Sequence, residues 1–139
     1  MKMKRALSLA LAGALSLSLL SACGGGDVRH AAVLAWEPSQ LYTDQEIMDA
    51  IRVAESYFAK EFDGCTLEEI GYVGDGSAGA FQEWAAQYGA DEAIVLTSSF
   101  TTGPSGGDGS LTPNATYEGW QWILVRSGGG SWRHADHGY

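Results

Sequence analysis

Basic residues are scarce in this chain: 8 Lys and Arg stand against 17 Asp and Glu in 139 residues, a net charge of −9. That balance excludes a nucleic-acid binder, which needs a positive footprint, and excludes electrostatic docking on anionic lipid. The negative charge is otherwise read as solubility. Cysteine is rarer still, with only Cys23 and Cys65. No disulfide framework and no cysteine-rich metal site can be built from two thiols. Internal repeats are absent too.

What is present begins at the first residue. Lys2, Lys4 and Arg5 form a positive start, and residues 6–20 are an uncharged run of Ala, Leu, Ser and one Gly, the layout of a secretory signal peptide. Leu20-Ser21-Ala22-Cys23 follows, and it resembles the lipobox of bacterial lipoproteins: an aliphatic residue, two small residues, and a cysteine that is acylated as the new N-terminus. Two other readings compete. A short transmembrane anchor would use an apolar run near the minimum spanning length of roughly 17 residues, but Gly24-Gly25-Gly26 stands where aromatic or basic anchors belong. A plain secreted protein would leave Cys23 as a free terminal thiol. Lipidation of Cys23 is therefore the expectation, with the membrane reached through the lipid alone. Loss of residues 1–22 removes three of the 8 basic residues and none of the 17 acidic ones, leaving 5 against 17, a net charge of −12. Cys65 then stands alone. With Asp63, Glu68 and Glu69 nearby to raise its pKa, it reads as a small buried hydrophobe and not as a nucleophile.

Residues 23–40 read as the lipidated cysteine and a flexible tether, with residues 31–36 apolar enough to dock as a short strand. The domain proper is expected over residues 41–139. Thr43 and Glu46 form a capping box, Tyr42 and Ile47 a hydrophobic staple. Ile47, Ile51, Ala54, Phe58 and Phe62 recur at helical spacing, and Gly64 closes the helix at the C′ position. Strands are expected over 66–73, 92–102, 115–127 and 131–137. A short helix over 80–88 presents Phe81, Trp84, Ala85 and Tyr88, and residues 103–114 form a long mobile loop. This order predicts an α+β domain in which one long N-terminal helix and a short second helix pack on a curved, mostly antiparallel four-stranded sheet.

Three of these stretches carry a resemblance. Asp63-Gly64-Cys65-Thr66-Leu67, the run from Trp84 to Ala93, and the tryptophan-rich C-terminal hairpin, taken with the lipobox, resemble small lipoproteins of Clostridia-type bacteria. Their domain is of unknown function and is grouped with the cone-shaped nuclear-transport-factor-2-like fold. The resemblance covers residues 40–139 and implies a reduced cone. It implies no activity, because that fold hosts enzymes, ligand carriers and inert modules alike.

Candidate chemistry is thin. His134, Asp136 and His137 form the densest polar cluster, but in a regular strand His134 and Asp136 share a face while His137 points away. No metal or other cofactor is expected. Ser98 or Ser99 with His134 and Asp136 has the residue types of a hydrolytic triad without a nucleophile elbow. Glu68-Glu69 and Asp91-Glu92 are adjacent pairs that a strand would split between its two sides. Residues 106–110 lack the ending of a phosphate loop, and Asn114 begins a chance glycosylation sequon. Trp120, Trp122 and Trp132 remain: either a sheet face packed on the helix stripe, or the aromatic wall of a ligand-binding or partner surface rimmed by residues 103–114. The sequence thus points to a lipid-anchored extracytoplasmic binding or interaction module, for a small molecule or a protein. An enzyme using the mouth of the cone and a structural spacer are the alternatives.

Overall fold

The computed structural model describes residues 24–139. The expected signal segment and the expected lipidation site at Cys23 lie outside the described residues. Within them the order is β1 (Ala32–Val33), α1 (Asp44–Glu61), β2 (Thr66–Tyr72), a 3-10 turn over Asp75–Ser77, α2 (Ala78–Gln87), β3 (Glu92–Thr101), β4 (Thr116–Arg126) and β5 (Arg133–Gly138). The fold is α+β. The sheet has five strands in the order β1-β2-β3-β4-β5, antiparallel throughout except for the parallel pair β1–β2.

The fifth strand corrects the expected count of four, and it falls within residues 31–36, the stretch apolar enough to dock as a short strand. Ala32 and Val33 pair with Glu69 and Ile70 along the edge of β2, and the Leu34 N–H donates to the Ile70 carbonyl at 2.9 Å. Docking starts earlier still. The Gly26 N–H donates to the Ala59 carbonyl at 3.0 Å, and Asp27 exchanges backbone bonds with Cys65 and Leu67 at 2.8 Å each. The glycines after Cys23 make this approach feasible: a Cβ on Gly26 would stand 2.6 Å from the Phe58 carbonyl oxygen. Glycine here serves close packing and not slack.

α1 begins as its sequence dictates. The Thr43 hydroxyl accepts from the Glu46 N–H at 3.1 Å, and the Glu46 carboxylate accepts from the Thr43 N–H at 2.9 Å. The helix ends at Glu61 and is capped by Phe62, so Gly64 stands one place beyond the expected C′ position. Its stripe of Ile47, Ile51, Ala54 and Phe58 is wholly buried against one face of the sheet, formed by Ile70, Ile94, Leu96, Phe100, Trp122 and Leu124. Residues alternating with these along the strands, Ala93, Val95, Ile123 and Val125, are buried on the opposite face. There α2 packs against β3 and β4, and its end is tied to β5 by the Tyr88 hydroxyl bonded to Asp136 at 3.1 Å. No helix among the described residues is long and apolar enough to cross a membrane.

Two bulges shape what the sheet presents. Between the pairs Ser98↔Trp120 and Phe100↔Tyr117, β4 carries an extra residue, with Gly119 at φ 69°. A left-handed residue costs an L side chain strain that glycine avoids, and it re-aims the strand just before Trp120. Between Ile123↔Asp136 and Leu124↔His134, the extra residue is Ala135 on β5.

Candidate aromatic cavity

The surroundings of the three tryptophans divide them. Trp122 is completely buried among Tyr57, Phe58 and Phe62, with ring centroids 5.3–6.3 Å away. Its indole N–H donates to Ser98 Oγ at 2.8 Å, and that hydroxyl donates to the Trp120 carbonyl at 3.0 Å. Ser98 therefore spends its hydroxyl in the core. Trp132 lies just before β5, not in it. Its indole N–H donates to the Glu46 carbonyl at 3.0 Å, and the Arg126 guanidinium stands 4.2 Å over its ring. Arg126 in turn pairs with Glu92 at 2.6 Å and with Glu46. Trp132 also borders a surface cleft with Arg52 and Val53. Its own polar atom is satisfied all the same. Trp122 and Trp132 fix α1 to the sheet.

Trp120 is different. It meets Phe62, Phe100 and Tyr117 edge to face at 5.3–6.2 Å, and its indole N–H is the one buried side-chain polar atom among the described residues with no hydrogen-bond partner. It lines an open cavity of about 230 Å³ beside the C-terminal end of α1. Tyr57 from the helix, Phe62 from its C-cap and His137 from β5 complete the aromatic wall, and Gly107, Asp108, Ser110 and Leu111 form the rim.

The rim belongs to the long loop between β3 and β4, which is folded on itself and not free coil. Its backbone bonds run from Gly106 to Gly103, from Gly109 and Leu111 to Gly106, and from Asn114 to Gly103, at 3.0–3.1 Å. The Thr102 hydroxyl accepts from Ala115 N–H at 2.9 Å and donates to the Thr112 carbonyl at 2.5 Å. Ser110 donates to Asp108 Oδ1 twice, from its hydroxyl at 2.6 Å and its N–H at 3.0 Å, which holds the Asp108 carboxyl below the usual range.

The Ala135 bulge overturns the expected geometry of the histidine cluster. It brings His134 and His137 together, Nε2 to Nδ1 at 3.0 Å, and sends Asp136 to Tyr88 instead. His134 stacks on Tyr57 at 3.7 Å between ring centroids. Burial, with repulsion from His137, lowers the His134 pKa to about 4; burial also lowers that of His137. Both rings are neutral at pH 7. No group of three His, Cys, Asp or Glu suited to a metal ion occurs among the described residues. Cys65 is buried, and burial together with the Asp63 charge pushes its thiol up.

Trp120 is the one tryptophan of the three on the cavity wall. Tyr57, Glu61 and Phe62 are residues that sequence reasoning did not assign to a site; His137 enters it only within the histidine cluster, and Asp108 lies in the loop expected as the rim. A signal existed for the first two: Tyr57 and Glu61, four apart, run beside the apolar stripe of α1 and not within it. Compared with protein-family models, curated proteins and solved structures, the chain matches none.

Proposed function

We propose that the protein is a lipid-anchored extracytoplasmic binding module, acylated at Cys23, whose site is the cavity walled by Trp120, Tyr57, Phe62 and His137. The observation that carries this reading is the contrast among the tryptophans: two are hydrogen-bonded into the core, while Trp120 keeps an unpaired N–H beside a cavity of about 230 Å³. Concave sites that combine aromatic side chains with convergent polar groups are where small ligands bind. The lipid anchor rests on the basic start, the uncharged run and the lipobox. The same reading takes the domain as a reduced cone of the nuclear-transport-factor-2-like kind, supported by the resemblance of residues 40–139.

The cavity residues form no serine–histidine relay: Ser110 is bonded to Asp108, and His137 to His134. A thermal-shift panel of small amines, carboxylates, sugars and aromatic alcohols tests the binding reading. Stabilisation by at least one class, lost in Trp120→Leu, supports it; no stabilisation by any class favours the spacer. The anchor is tested by Cys23→Ala, which releases the domain or leaves an unprocessed precursor. Processed Cys23→Ala protein still held firmly on membranes would overturn it.

A further inference from the structure

We infer that the ligand of this cavity is a small organic cation, an ammonium or quaternary ammonium group carried on a compact polar molecule. The inference rests on the binding reading above and narrows it to one chemical class.

Charge carries the first part of the argument. Two carboxylates line the cavity, Glu61 and Asp108, and none of the lining residues is Lys or Arg. An anionic ligand would be repelled by both. A purely apolar one would strip water from two carboxylates and give nothing back. A cation meets both at once.

The state of each group supports this. Asp108 is fixed as an anion by the two bonds from Ser110, and both go to Oδ1, leaving Oδ2 to a ligand. His137 is neutral at pH 7, so it brings no competing positive charge. Glu61 sits in the last turn of α1, where the negative end of the helix dipole opposes a carboxylate. It makes no ion pair among the described residues. Its placement costs the helix a little and favours a cation in the cavity.

The wall carries the second part. Trp120, Tyr57, Phe62 and His137 line one space, and aromatic rings attract a cation held beside them, Trp most strongly. Independently, the Trp120 side chain is nine-tenths buried and its N–H has no partner.

Calorimetric titration of the full-length protein in a non-ionic detergent tests the inference, with choline and its neutral isostere 3,3-dimethyl-1-butanol as probes. They differ by one atom and one charge. Choline is expected to bind about tenfold more tightly than the alcohol. Glu61→Gln is expected to weaken choline several-fold and leave the alcohol unchanged. Adding Asp108→Asn enlarges that loss; because Asp108 also holds the loop, Glu61→Gln alone is the decisive variant. Equal or tighter binding of the alcohol overturns the cation while leaving the cavity a ligand site. Choline binding that survives Glu61→Gln and Trp120→Leu places the cation elsewhere and overturns the inference. Binding of neither probe also overturns it, and the binding reading then stands or falls on the wider thermal-shift panel.

Discussion

Trp122 and Trp120 stand two residues apart on the same face of β4 and share Phe62 and His137 as neighbours, yet their polar atoms fare differently. Trp122 is closed in by α1 and its N–H is bonded to Ser98; Trp120 reaches past the end of the helix, and its N–H is bonded to nothing. Alternation along a strand puts both on the inner face but says nothing about where the covering helix stops. α1 ends at Glu61, and the sheet face it leaves uncovered is where the cavity opens. One aromatic stripe is thus core at one end and wall at the other. The lesson is that residue type and face do not assign a role; the length of the opposing element does.

Four perturbations test that contrast, in falling order of expected effect. Trp122→Ala should cost about 3–5 kcal/mol, since it empties a fully buried site and leaves Ser98 short of a donor. Urea unfolding measures it, and a loss below about 1 kcal/mol would make Trp122 no core residue.

Acid should act next, on the histidine pair that borders both regions. The folded pKa of His134 is about 4 against an ordinary 6.5, and that of His137 is also lowered. The unfolded chain therefore takes up protons first as pH falls. This stability is fully present above about pH 6.5 and is lost on descending toward pH 4. Because both rings are only half-buried, solvent screening reduces the effect to about 1–2 kcal/mol. A denaturation series over that window, repeated on His134→Gln/His137→Gln, should show the slope flatten in the variant. An equally steep slope would assign the acid sensitivity to other groups.

Trp132→Phe keeps a ring under Arg126 but removes the N–H bonded to Glu46. A loss of about 1 kcal/mol is expected, read from the same unfolding curves. No loss would mean that bond contributes nothing to clamping the start of α1.

The smallest effect belongs to Trp120→Phe. The indole shrinks to a single ring, but the N–H removed had no partner, so only the lost volume acts and the stability loss should stay at about 1 kcal/mol or less. A larger loss would show that Trp120 is anchored like Trp122 and would break the contrast.

Much of the architecture was legible because it is local. The Thr43–Glu46 box, the stripe from Ile47 to Phe58 and the alternation in β3 each depend on residues within a few positions, and all appear where their spacing puts them. What was not legible depends on partners far along the chain. Gly24-Gly25-Gly26 has the composition of a slack tether, and only the approach of α1 turns it into a packed segment. Two residues are enough to make β1 a strand because β2 offers a free edge. The Ala135 bulge follows from the register of β4 against β5, so the meeting of His134 with His137 could not be read from a regular two-residue period. The cavity is the extreme case: its wall joins α1, β4, β5 and the loop before β4, and no single stretch announces it.

The most direct measurement of the central claim is the indole N–H spectrum of the ¹⁵N-tryptophan-labelled protein during a choline titration. Trp122 and Trp132, each bonded to a protein oxygen, should hold their positions, while the Trp120 resonance alone shifts and saturates. A uniform drift of all the indole signals, or shifts at Trp122 or Trp132 with Trp120 unmoved, would contradict the division of this aromatic stripe into core and binding wall.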